Sequence, residues 1–168
     1  MQKLTIFTTG GTIDKVYFDK NSEYEVGSPT IEKLLAKYNV YFHYDIQTLF
    51  HKDSLDLTDI DREEIIRRVR ECADKRCLVT HGTDTMAITA RALANANIEG
   101  KIIVLTGAIL PASFKETDAE FNIGTAFGAL FSAQPGVYIA MNGFIYPWDN
   151  VYKDHLAQQF KELRPGGR

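Results

Sequence analysis

Leu4-Thr5-Ile6-Phe7 runs straight into Thr8-Thr9-Gly10-Gly11-Thr12, and Cys77-Leu78-Val79-Thr80-His81 runs straight into Gly82-Thr83-Asp84-Thr85. Each is a short apolar, β-prone run that stops at a glycine turn flanked by threonine hydroxyls, the ending expected of a buried strand in an α/β domain. Lys101-Ile102-Ile103-Val104-Leu105-Thr106, closed by Gly107-Ala108, repeats the pattern, and residues 136–141 read as the last clear strand. Residues 38–49 alternate and are rich in aromatics, which adds a further strand. Helices are expected over 29–37, over 58–75 with Ile60, Ile65, Ile66 and Val69 among charges, over the Ala-rich 86–97, and over 118–133. Strands alternating with helices predict a three-layer α/β fold: an open, mostly parallel, flavodoxin- or Rossmann-like sheet with helices on both faces.

Two segments stand outside that alternation. Residues 13–28 hold two short β-prone pieces around Asp19-Lys20-Asn21-Ser22, which predicts a mobile β-hairpin. Residues 143–148 read as a loop. The segment 164–168, Arg-Pro-Gly-Gly-Arg, is expected to be a flexible tail beyond a single domain of residues 1–163.

The composition narrows the function. At 168 residues with 45% hydrophobic and 24% charged, the chain suits one soluble domain with a sizeable core. A net charge of −3 gives no electrostatic reason to expect nucleic acid or an anionic membrane as partner. The start shows only fragments of a signal peptide, and no apolar run approaches the ~18 residues of a membrane span, so a cytoplasmic protein is expected. Cys72 and Cys77 do not form a CxxC pair, and His43, His51, His81 and His155 lack ligand spacing, so no metal and no cofactor are expected.

In an open parallel sheet, ligands collect beyond the carboxyl ends of the strands, so the three glycine turns should face one crevice. Taken singly, such turns are most often structural, and a threonine or aspartate at a helix start is most often a cap. The turns lack the spacing of a phosphate loop or a dinucleotide fingerprint, which weakens a nucleotide-binding reading. Two hydroxyl-bearing turns at matching strand ends of one small domain point further, to chemistry.

Thr9-Gly10-Gly11-Thr12-Ile13 and Thr80-His81-Gly82-Thr83-Asp84-Thr85 resemble the two signature segments of the bacterial-type L-asparaginases. The resemblance extends through Tyr24-Glu25-Val26-Gly27, Asp53-Ser54-Leu55-Asp56-Leu57-Thr58, Thr106-Gly107-Ala108, Phe121-Asn122 and from Met141-Asn142 to Lys153. It covers nearly the whole chain, in the manner of a short, single-domain form similar to the N-terminal domain of the two-domain enzymes. Leu55 departs from the family pattern, in which many relatives place a polar substrate-binding residue, and 143–148 departs as well.

The resemblance implies hydrolysis of the side-chain amide of L-asparagine to L-aspartate and ammonia. Thr12 would be the nucleophile that forms an acyl-enzyme. Tyr24, on a hairpin lid, would close over the site and hydrogen-bond Thr12. Lys153 would be the base, held by Asp84, with Thr83 relaying protons to the attacking water. Gly11, Ser54, Leu55, Gly82, Thr83, Asp84 and Ala108 would line the substrate, with Ser54 on its α-carboxylate and Asp84 on its α-amino group. A homo-oligomer, dimer or tetramer, is implied because relatives place the site near subunit contacts. Other readings keep the same crevice: a glutaminase-like or amidotransferase-type action on another amide, or a non-catalytic module that recognises asparagine or aspartate. The joint presence of Thr12, Tyr24, Thr83, Asp84 and Lys153 favours catalysis, since a binding module needs no lysine base.

Overall fold

Strand β1 (Lys3–Gly10) is buried at every position from Leu4 onward. A strand without a solvent face has to lie inside a sheet covered on both sides, and that sets the architecture. The computed structural model describes residues 2–18 and 23–166. Along the chain follow β2 (Lys15–Phe18), β3 (Glu23–Val26), α1 (Ile31–Lys37), β4 (His43–Lys52), α2 (Asp59–Glu71), β5 (Arg76–Thr80), α3 (Met86–Asn95), β6 (Ile102–Thr106), α4 (Ala119–Ser132), β7 (Gly136–Met141), β8 (Phe144–Pro147), β9 (Tyr152–Asp154) and β10 (Gln159–Lys161).

The main sheet runs β4-β1-β5-β6-β7-β8. Its first five strands are parallel and β8 is antiparallel to β7. Alternation along the strands divides the core. Leu4, Ile6, Leu78 and Val104 face α1 and α4, where they meet Ile31, Leu35, Ile123, Ala126 and Leu130. Phe7, Val79, Ile103, Leu105 and Ile139 face α2 and α3, where they meet Ile65, Val69, Met86, Ala90 and Leu93. The expected open, mostly parallel sheet with helices on both faces is present.

Two readings need correction. Residues 143–148 are not simply a loop, because Phe144–Pro147 forms the edge strand β8. Met141 pairs with Phe144 across Asn142 and Gly143, whose φ angles are 54° and 77°. Positive φ at both central residues is the signature of a two-residue hairpin turn whose twist matches the strands it joins. Nor is β7 the last strand. A second small sheet pairs β9 with β10, antiparallel, and carries Lys153 opposite Phe160.

The expected hairpin at 13–28 is formed by β2 and β3, with Lys15 opposite Val26 and Phe18 opposite Glu23. Its polar turn, residues 19–22, lies outside the described residues. The hairpin is fastened at its base. Gly27 N donates to Asp14 O at 2.8 Å, Thr30 N donates to the Asp14 carboxylate at 2.7 Å, and Lys15 pairs with Asp53 at 2.7 Å. At the other end of the chain, Arg164 N donates to Asn150 Oδ1 at 2.8 Å, and residues 167–168 lie outside the described residues. No helix among the described residues is long and apolar enough to cross a membrane.

Helix α2 starts on a capping box: Asp61 N donates to Thr58 Oγ1 at 3.3 Å and Thr58 N donates to the Asp61 carboxylate at 2.8 Å. That satisfies two amides with no partner inside the helix. Thr58→Ala should lower stability by about 1 kcal/mol, read as a shift in the urea midpoint; an unchanged midpoint would show that the cap contributes nothing.

Candidate active site

The carboxyl edge of β1 and β5 is built by glycines that leave no room for a side chain. A Cβ on Gly11, whose φ is +88°, would sit 2.4 Å from Gly82 N. A Cβ on Gly82 would sit 2.6 Å from Ser54 Cβ and 2.7 Å from Ser54 Oγ. Real Cβ atoms do not approach that closely, so the Gly11 and Gly82 backbones touch, and the Ser54 side chain packs on Gly82, only because glycine stands at both contacts. Hydrogen bonds lock the stack: Thr9 Oγ1 donates to Thr80 O at 2.9 Å and His81 N to Thr106 O at 2.9 Å. Thr85, expected to cap α3, makes no side-chain cap bond; its hydroxyl donates instead to Ser54 O at 2.7 Å.

Thr12 and Thr83 each follow one of the two glycines in contact, and so flank the same seam. Thr12 opens a short 3-10 turn and is partly exposed. Lys153 reaches in from β9. Its Nζ donates to Thr83 Oγ1 at 2.8 Å and to Asp84 Oδ1 at 2.6 Å. The lysine side chain is only 7% exposed. A nearly buried lysine nitrogen that donates to two acceptors is held at a fixed point, unlike a solvated surface lysine. His155 stands 3.7 Å from the same Asp84 oxygen. Ser54 Oγ is buried and, like Thr80 Oγ1, has no hydrogen-bond partner among the described residues.

Other expected site residues are placed differently. Tyr24 is half exposed; its ring stands 5.4 Å from that of Tyr17 and 5.8 Å from that of Phe114. A hydrogen bond from Tyr24 to Thr12 is not among those made by the described residues, so this position of the hairpin does not bring the two together. Leu55 is 71% exposed, with its amide tied to Asp53 Oδ1 at 3.1 Å. The Ala108 side chain is buried in the core, so any contact it makes with a ligand falls to its backbone. Gly11 and Gly82 sit at the seam itself.

The sequence reading missed two buried titratable groups. His81 is fully buried, with Nδ1 2.7 Å from Gly82 O and Nε2 2.8 Å from Thr89 Oγ1. A carbonyl can only accept, so Nδ1 carries the proton and Nε2 accepts from Thr89, whose oxygen in turn accepts from Arg62 Nε at 3.2 Å. Burial lowers the imidazole pKa from 6.5 to about 4. Asp14, two residues beyond Thr12, is raised by burial from 3.8 to about 6, against the Thr30 hydrogen bonds and His51. No local spacing announces either group; both depend on contacts between distant segments. Among the described residues, no group of three or more His, Cys, Asp or Glu side chains could hold a metal ion.

Fold and seam together define an open α/β domain with hydroxyl, carboxylate and amine groups converging at the carboxyl edge of its sheet. The chain belongs to the asparaginase family, whose N-terminal region, described as "Asparaginase, N-terminal", matches residues 3–162. It is 30% identical over 157 residues to an L-asparaginase of Thermococcus kodakarensis, covering 91% of this chain and 48% of that protein. It is 37% identical over 106 residues to a glutamyl-tRNA(Gln) amidotransferase component of Methanococcus vannielii, covering 62% of this chain and 24% of that protein. A crystal structure of a probable cytoplasmic L-asparaginase from Campylobacter jejuni superposes with a TM-score of 0.85 at 23% identity, over 96% of this chain and 54% of that one, and so shares the fold. The chain thus spans about half the length of these asparaginases.

The two perturbed groups act on stability with opposite signs. The unfolded chain protonates His81 near pH 6.5 and the folded chain only near 4, so His81 costs the fold about 3 kcal/mol as pH falls through that window. The folded chain protonates Asp14 near 6 and the unfolded chain near 3.8. Its contribution of about 3 kcal/mol is therefore full below 3.8 and lost as pH rises through 6. Asp14→Asn should be more stable than the wild type at pH 7 and should lose stability more steeply below pH 6, followed by denaturant unfolding across pH. Lower stability at pH 7 with an unchanged acid slope would contradict the Asp14 assignment.

Proposed function

We propose that the chain is an amidohydrolase that cleaves the side-chain amide of L-asparagine to L-aspartate and ammonia through a threonine acyl-enzyme. The observation that carries this reading is the Lys153–Thr83–Asp84 cluster, a nearly buried amine bonded to a hydroxyl and a carboxylate beside the turn of Thr12. Family membership supports the same reading.

A carboxamide is a poor electrophile, and its hydrolysis needs a nucleophile, a proton path and stabilisation of the oxyanion. Thr12 Oγ1 attacks the side-chain carbonyl carbon. The developing oxyanion takes its hydrogen bonds from backbone N–H groups at the seam other than that of Gly11, which is donated to Lys52 O at 2.9 Å. The nitrogen of the tetrahedral intermediate takes up the proton lost by Thr12, and the C–N bond breaks to expel ammonia, which leaves an aspartyl ester on Thr12. Water then attacks the ester, Thr83 accepts the water's proton and passes its own to Lys153 in its amine form, and that proton returns to Thr12 Oγ1 as the ester bond breaks and aspartate leaves. Asp84 fixes Lys153 through one oxygen and offers the other to the substrate α-ammonium. Ser54 Oγ, unpartnered in the structure, donates to the α-carboxylate. The hairpin is the lid: its closure carries Tyr24, together with its cross-strand partner Tyr17, away from the Phe114 ring to Thr12 and excludes water.

The likeness to an amidotransferase component supports a second reading, in which the same machinery acts on another amide. The free thiols Cys72 and Cys77 fit a cytoplasmic location, and exposed apolar side chains such as Tyr41, 86% exposed, and Phe121, 64% exposed, fit burial in a homo-oligomer.

Coupled ammonia release should be faster from L-asparagine than from L-glutamine. Thr12→Ala should abolish it and Lys153→Met should lower kcat by at least about a hundredfold. Preference for glutamine moves the assignment to the second reading, and full activity of Thr12→Ala removes Thr12 from the chemistry.

A further inference from the structure

Lys153 does not stand on the main sheet. It stands on a two-stranded sheet of three-residue strands, too small to hold a side chain in place by itself. What fixes it is visible one strand away. Phe160, the residue directly opposite Lys153, has both backbone groups taken by side chains of the β7–β8 hairpin. Its N–H donates to Asn142 Oδ1 at 2.8 Å, and its carbonyl accepts from Tyr146 OH at 2.7 Å. Because both groups point away from β9, Phe160 and Lys153 form a non-hydrogen-bonded pair, whose side chains are the closer kind and project to one face. Phe160 is 3% exposed and belongs to the core on the α2–α3 side, so it sets the depth at which the lysine stem enters.

The clamp continues into the fold. Asn142 N donates to Asn122 Oδ1 at 3.0 Å, and Asn122, fully buried, donates through Nδ2 to Gly107 O at 3.0 Å and to Asp118 Oδ2 at 2.8 Å. One buried amide thus ties the turn after β6, the start of α4 and the β7–β8 turn. The bland reading of Asn142 is that a two-residue hairpin turn prefers asparagine for its backbone alone. That accounts for its φ of 54° but not for the side chain's reach to Phe160 N.

We infer that Asn142 and Tyr146 are positioning residues for Lys153: they grip Phe160 N–H and C=O, and through that residue they aim the amine at Thr83 and Asp84. The inference rests on the reading of Lys153 as the base. Asn142→Gly keeps the positive φ and removes only the amide side chain, and Tyr146→Phe removes only the hydroxyl. Each should lower kcat by about tenfold, and the pair by more, with KM within about twofold of the wild type. In parallel, reductive methylation followed by peptide mass spectrometry should label Lys153 at least about fivefold faster in the double variant, while part-buried Lys101, which donates to Cys72 O and Asp74 O, keeps its wild-type rate. Unchanged kcat and unchanged Lys153 labelling in the double variant overturn the inference, as does equal acceleration at Lys101, which would mean general loosening. If the wild type releases no ammonia from any amide, the proposed function falls, and the ratio of Lys153 to Lys101 labelling still decides the clamp.

Discussion

The structure turns on a contact that only glycine permits. The turn after β1 and the turn after β5 meet with the Gly11 and Gly82 backbones pressed together, and the Ser54 turn closes on the other side of Gly82. A parallel sheet brings strand ends side by side but leaves their loops free to diverge. Here the loops cannot diverge, because each is bonded to its neighbour: Thr9 to Thr80, His81 to Thr106, Thr85 to Ser54. The result is a shelf of packed turns on which Thr12 and Thr83 each follow one of the two glycines in contact.

Around that shelf the chain places groups of unequal firmness. His81, locked between Gly82 and Thr89, has no freedom and no solvent, and it holds the Gly82 carbonyl from beneath. Lys153 is added from a separate small sheet and depends on side chains of the β7–β8 hairpin for its aim. Tyr24 is the loosest member, half exposed on a hairpin fastened mainly at its base. In the proposed function the seam holds the threonines, Lys153 supplies the base and the hairpin serves as the lid, a division that lets water be excluded during attack on the amide and admitted afterwards.

Much of this was legible in the residues. The buried strands announced themselves as apolar runs ending in glycine turns, and the helices as periodic stretches between them, because burial on two faces leaves a strong mark on composition. The edge was less legible. β8 spans four residues of which only Tyr146 is buried, too little for a period to show, and its clearest signal is the Asn142-Gly143 turn before it. β9 and β10 have three residues each, too few for a period to emerge. Resemblance pointed to Lys153, Thr83 and Asp84, and the structure draws those three together. Asn122 and Asn142 fall within the resemblance but with no role attached, and nothing local pointed to Thr89; the bonds these three make arise where segments far apart in sequence converge. Nothing in the sequence around Asp14 marks it either, since its burial comes from packing against the base of the hairpin and Thr30.

The central claim is that a covalent ester forms on one particular threonine of the seam. Rapid quenching of the protein during turnover of L-asparagine, followed by peptide mapping of the trapped adduct, tests it most directly. The account predicts an aspartyl ester on the peptide that contains Thr12. Its appearance on the peptide that contains Thr83, or ammonia release with no ester on either peptide, would contradict the account.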